Sequence, residues 1–175
     1  MTERKATQAD AAALWRLVGL SQRSMAELNI DQWQDGYPEY SQIENDTAGG
    51  NCCLLTEGDA VVGALTVGFA PEAAYDNPEE GGWSCDKPYV VIHRSMTDPA
   101  FRGRGVAGKL FAIAEREAEA HGIACVRVDT HPDNIPMRRA LEKNGYEYRG
   151  KISIYHGTEQ ALPRVIYEKC LKVKE

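Results

Sequence analysis

No run of about 18 apolar residues occurs in the 175-residue chain, which argues against a helical membrane span. The opening MTERKATQAD lacks the apolar core of a secretory signal, so a cytoplasmic location is expected. No C-x-x-C pair is present, the five cysteines are odd in number, and Cys52 and Cys53 are adjacent. That pattern suits neither a disulfide framework nor a zinc site, so no metal is expected. Internal repeats and low-complexity tracts are missing too. Cations are in deficit, with 20 Lys and Arg against 26 Asp and Glu, for a net charge of -6. Such a charge disfavours nucleic acid and anionic membranes as partners and is compatible with a cationic small substrate.

What remains is an ordinary globular composition, 43% apolar and 26% charged, sized for one domain over residues 1–175. Residues 4–7 read as a short strand, 10–29 and 38–50 as helices, and 51–69 as a hairpin turning at Glu57–Gly58–Asp59. Residues 71–88, rich in Pro, Gly and acid, read as an irregular insertion. A strand at 89–97, a helix from about 105 to 121, a strand at 124–130 and a helix at 135–145 follow. Two closing strands occupy 146–157 and 163–171. The order predicts an α+β fold with a single mixed β-sheet and a β-α-β-α crossover unit.

The stretch FRGRGVAGKLF, residues 101–111, opens the longest central helix without a Ser, Thr, Asp or Asn cap. Arg102 and Arg104 stand there instead, at the positive end of the helix dipole. A bound anion resolves both oddities. Gly103 and Gly105 let the backbone approach a phosphate, the N–H groups of residues 103–108 point at it, and the arginines add charge. The alternative is a plain strand-to-helix turn with solvated arginines. A Walker loop is excluded, since no Gly-Lys-Ser/Thr follows.

RGRGVA, Arg102 to Ala107, resembles the Arg/Gln-x-x-Gly-x-Gly/Ala loop of the GNAT acyltransferases. The preceding TDPAF and the downstream VDTHPDNIPMRRALEKNGYEYRG resemble that family's flanking segments, in the same order. The resemblance implies the GNAT fold, one mixed sheet flanked by helices on both faces, with a splay between the fourth and fifth strands. It also implies acetyl-CoA as acyl donor. The loop Arg102, Gly103, Arg104, Gly105, Val106, Ala107 and Gly108 would carry the pyrophosphate. The backbone of Ser95, Met96 and Thr97 would pair with the pantetheine arm, and Asn134 would contact that arm or simply cap the following helix.

An amine acceptor must lose a proton before it attacks a thioester. Asp129 is the first candidate base, because it falls where a branch of the family carries a Glu. An ion pair with Arg127 or another surface cation is its structural alternative. His93 and His131 compete, having the better intrinsic pKa. Backbone N–H groups of Met96 or Thr97 would stabilise the oxyanion. The Tyr that the family places seven residues after the Asn is replaced here by Leu141, leaving Tyr155 or His156 as candidate acids. Asp31, Trp33, Asp35 and Tyr37, with Glu39 and Tyr40, combine carboxylates and aromatic faces that attract a cation, or else form a packed corner. Tyr75 and Trp83 of the insertion, with its acids, would form an opposite wall. The expected function is transfer of acetyl to a primary amine of a small molecule or peptide within a ternary complex. A catalytically silent CoA-binding or sensor protein is the alternative, and a homodimer is compatible with either.

Overall fold

The computed structural model describes residues 1–84, 86–155 and 160–172. Its strands are β1 (Thr2–Lys5), β2 (Cys52–Glu57), β3 (Ala60–Gly68), β4 (Glu80–Gly81), β5 (Tyr89–Thr97), β6 (Cys125–Thr130), β7 (Glu147–Ile154) and β8 (Leu162–Cys170). The helices are α1 (Ala11–Glu27), α2 (Tyr40–Ala48), α3 (Val106–Ala120) and α4 (Ile135–Lys143). The strands make one mixed sheet in the order β1-β2-β3-β5-β6-β8-β7-β4, the expected α+β class. Two compact units are distinguished, Met1–Val67 with His93–Ile113, and Gly68–Ile92 with Ala114–Glu175. No helix among the described residues is long and apolar enough to cross a membrane.

In the first unit β1, β2 and β3 run antiparallel. Strand β1 occupies Thr2–Lys5 rather than 4–7, and the reason is local. The Asp10 carboxylate accepts the Thr7 backbone N–H at 2.8 Å and the Arg4 guanidinium at 2.6 and 2.8 Å, so the chain must turn into α1 at Thr7. Helix α1 ends where Asn29 takes φ 55° and the Ile30 N–H reaches back to the Met25 carbonyl at 2.9 Å. Leu14, Leu17, Val18, Ile30, Trp33, Ile43, Leu54, Ala64 and Met96 form the core. The first turns of α3 lie directly on β3 at Gly63. A Cβ there would stand 2.7 Å from Val106 Cγ1 and 3.1 Å from Leu110 Cδ1. Only glycine permits that approach, which fixes the height of the loop leading into α3.

In the second unit β6 pairs antiparallel with β8, and β8 with β7. Setting aside the two-residue β4, β5 and β6 are the fourth and fifth strands. Their parallel pairing covers only Tyr89–Val91 against Cys125–Arg127, although β6 continues to Thr130. The insertion is more ordered than its composition predicts. It carries a 3₁₀ turn at Ala73–Tyr75 and the strand β4, which pairs with β7. Gly81 and Gly150 allow this, since a Cβ on Gly150 would lie 1.7 Å from the Glu80 carbonyl oxygen and one on Gly81 2.0 Å from that of Arg149. Tyr75 of the insertion packs in one cluster with Val91, Ile152 and Ile166. Helix α4 closes as its Asn144–Gly145 ending predicts, with Gly145 at φ 82° and the Tyr146 N–H on the Leu141 carbonyl at 3.1 Å.

Candidate active site

Within the first unit, β5 hands the chain to α3 through Asp98, whose carboxylate accepts the Ala100 N–H at 2.9 Å and the Arg16 guanidinium at 2.9 Å. Gly103 and Gly105 then adopt φ 79° and 76°, and nothing lies within 4 Å of where a Cβ would project from either. The first helical bond is from Lys109 N–H to the Gly105 carbonyl, 3.1 Å. Among the described residues, the backbone N–H groups of Gly103, Gly105, Val106, Ala107 and Gly108 meet no acceptor of this chain. The result is an open, positively polarised helix start with room above it, which suits a diphosphate. The two arginines differ. Arg102 is exposed, whereas Arg104 makes a two-pronged pair with Glu57 at 2.8 and 2.9 Å and lies over the Phe101 ring.

Strand β5 holds the other half of this unit's candidate residues. Met96 is buried, and Ser95 and Thr97 are half-buried. Arg94 has φ 46°, a left-handed conformation inside a strand. A dense set of contacts secures it. Its guanidinium binds Asp46 at 2.5 and 2.8 Å and donates to the Tyr37 hydroxyl at 2.8 Å, while the Thr66 hydroxyl donates to Asp46 at 3.1 Å. Burial, then the Arg94 charge, pushes the pKa of His93 down to about 4. A base that weak at pH 7 is poorly matched to an ammonium, so this geometry disfavours His93 among the candidates.

The acceptor segment divides in two. Trp33 is only 8% exposed, and its ring packs in the core edge-on to Tyr37. Tyr37 in turn is committed to Arg94. Asp31 and Asp35 are exposed, and Asp35 also accepts the Tyr37 N–H at 3.2 Å. The rings therefore build the corner while the carboxylates face outward. The segment itself carries no cation, but Arg94 brings one to it.

Within the second unit, Asp129 sits on β6 with its side chain 21% exposed. Its Oδ2 accepts the Tyr75 hydroxyl at 2.7 Å and its Oδ1 lies 3.5 Å from Arg164. The cation beside Asp129 is thus buried Arg164 rather than Arg127, which is engaged elsewhere. Arg127 pairs with buried Glu168 at 3.0 Å, and its guanidinium lies over the rings of Trp83 and Tyr89 at 4.1 and 4.0 Å. Tyr75 is buried and Trp83 half-buried, with their ring centroids 5.0 Å apart. Burial, reinforced by Asp129, holds the Tyr75 hydroxyl protonated well above its ordinary range. His131 Nδ1 accepts the Asp133 N–H at 3.1 Å, which assigns the ring to the turn before α4. Asn134 caps that helix, accepting the Met137 N–H at 3.2 Å. Leu141 is fully buried, as an apolar helix position predicts. Tyr155 is 58% exposed, and His156 lies outside the described residues.

Arg94, Asp46 and the Tyr75–Asp129 bond were not anticipated. Asp46 and Arg94 are 48 residues apart, and Tyr75 and Asp129 are 54 apart, so no local spacing announces either pair.

The family model described as "Acetyltransferase (GNAT) family" matches residues 21–146. The chain is 24% identical over 141 residues to an aminoglycoside N(6')-acetyltransferase type 1 of Salmonella typhimurium, covering 76% of this chain and 95% of the relative. Among solved structures it is similar to a GNAT family acetyltransferase of Streptococcus agalactiae, with 29% identity, a TM-score of 0.85, and 98% and 95% of the two chains covered. A putative acetyltransferase of Salmonella typhimurium, solved with its cofactor acetyl-CoA, superposes with a TM-score of 0.67 at 17% identity, covering 98% and 94%.

Proposed function

The chain belongs to the GNAT acetyltransferase family, and on that premise we propose that it transfers an acetyl group from acetyl-CoA to a primary amine of a small molecule or peptide. The observation that carries the cofactor reading is the start of α3, where two glycines with positive φ leave a row of backbone N–H groups open. The open N–H groups and the free space beside Gly103 and Gly105 are the chemistry a diphosphate needs. The N–H groups of Gly103 and of Gly105 to Gly108 would donate to it, and Arg102 would add charge. Backbone groups of Ser95 to Thr97 would hold the pantetheine arm. The donor supplies an acyl thioester, activated towards an amine.

The chain's own tasks are to orient the acceptor, take its proton and stabilise the developing oxyanion. Met96 or Thr97 N–H is the proposed oxyanion donor. Asp129 is the proposed base, and its hydrogen bond from Tyr75 fixes the direction of the carboxylate. Asp31 and Asp35 present carboxylates to a cationic acceptor, and the aminoglycoside acetyltransferase relatives make a polycationic amino sugar the first acceptor to try. Buried Leu141, standing where the family's Tyr would, favours a second reading in which CoA binds without turnover. A thiol-release screen over amino sugars, polyamines, amino acids and peptide N-termini separates the two. Amine-dependent release of CoA supports the transferase. Saturable acetyl-CoA binding with no release on any amine supports the silent protein.

A further inference from the structure

We propose that Cys125 and Cys170 form an oxidisable dithiol that closes to a cross-strand disulfide between β6 and β8. The two are direct register partners on antiparallel strands. The neighbouring pair is hydrogen-bonded, Leu171 N–H to the Ala124 carbonyl at 2.7 Å. By the alternation of antiparallel ladders, Cys125 and Cys170 then occupy a non-hydrogen-bonded pair, where facing Cα atoms come to about 4.5 Å, within the range a disulfide spans. Their Sγ atoms already lie 3.7 Å apart.

The two thiols differ in a way that orders the chemistry. Cys170 is exposed, and its Sγ touches the Ser84 hydroxyl at 3.4 Å, whereas Cys125 is fully buried and shielded from solutes. Peroxide would oxidise the Cys170 thiol to a sulfenic acid, releasing one water. The Cys125 thiol would then attack that sulfur, forming the S–S bond and releasing a second water. The protein loses two hydrogens and the peroxide is reduced by two electrons, so the step balances. Cys52 is no competitor, since burial pushes its thiol up to about 12. This inference does not depend on the acyl-transfer reading.

The test is peptide mapping of the reduced, folded protein after one equivalent of hydrogen peroxide, alongside a count of titratable thiols. The expected result is a Cys125–Cys170 linked peptide, loss of two thiols and full recovery with dithiothreitol. Cys170→Ser, at an exposed position, should lose none at that dose, and Cys85→Ser should behave as wild type. The proposal is overturned if Cys170 proceeds to sulfinic acid with Cys125 still a thiol. It is equally overturned if Cys170 links to another cysteine, or if no thiol is lost.

Discussion

At the scale of single residues the two units give different kinds of evidence. In His93 a displaced proton affinity is coupled to stability. Its folded pKa, about 4, lies below the value near 6.5 of an unfolded histidine. The unfolded chain therefore binds the proton first, and stability drops as pH falls through the window from about 6.5 to about 4, by at most about 3 kcal/mol. Melting temperatures of wild type and His93→Asn between pH 7 and pH 4 check this, with a flatter slope expected for the variant. For Asp129 the expected outcome is kinetic. Asp129→Asn should lower turnover by about 10²-fold or more with acetyl-CoA affinity little changed, the usual size for loss of a general base. Tyr75→Phe should cost less and shift the pH–rate profile, because it removes one hydrogen bond from the carboxylate and leaves the carboxylate in place. An unaltered rate in Asp129→Asn would pass proton removal to His131 or to water.

Elements show where sequence is informative and where it is silent. The ends of α3 and α4 and the loop before α3 were legible because their causes are local. Gly122, Gly145, Gly103 and Gly105 all take positive φ within a few residues of the helix they serve. The order of strands was legible from hydrophobic pattern. Strand β4 was hidden, because the physics that creates it is a contact between glycines far apart in the chain, Gly81 against Gly150. Sequence leaves Trp33 open between binding surface and packed corner, and is silent on the direction of Tyr75 and Trp83, for a similar reason: composition reports that a ring is present, not which way it faces. One prediction belongs to this scale. Gly63→Ala forces a methyl to 2.7 Å from Val106, so α3 must lift from β3. A stability loss of about 1–3 kcal/mol, measured by urea denaturation, should accompany weaker acetyl-CoA binding. Normal affinity in a destabilised Gly63→Ala would disconnect helix seating from the loop.

Across the whole molecule the net charge of -6 sets a field that would draw a cationic acceptor and repel an anionic donor. A donor site at the start of α3, as proposed, would have to overcome that field locally, with backbone N–H groups and Arg102. Asp31→Asn with Asp35→Asn should raise the KM for a cationic amine more than it lowers kcat, and added salt should mimic part of the effect. Equal KM values would return residues 29–40 to the role of a packed corner. The central claim is that the open start of α3 binds the diphosphate of acetyl-CoA, and calorimetric titration of acetyl-CoA into wild type and Gly105→Val tests it most directly. Valine at φ 76° strains the turn and places side-chain atoms in the open space above it. The account predicts saturable binding to wild type and affinity weakened about tenfold or more in the variant, equivalent to about 1.4 kcal/mol, with the fold retained. Equal affinity in the two proteins, or no binding to wild type at millimolar acetyl-CoA, would contradict it.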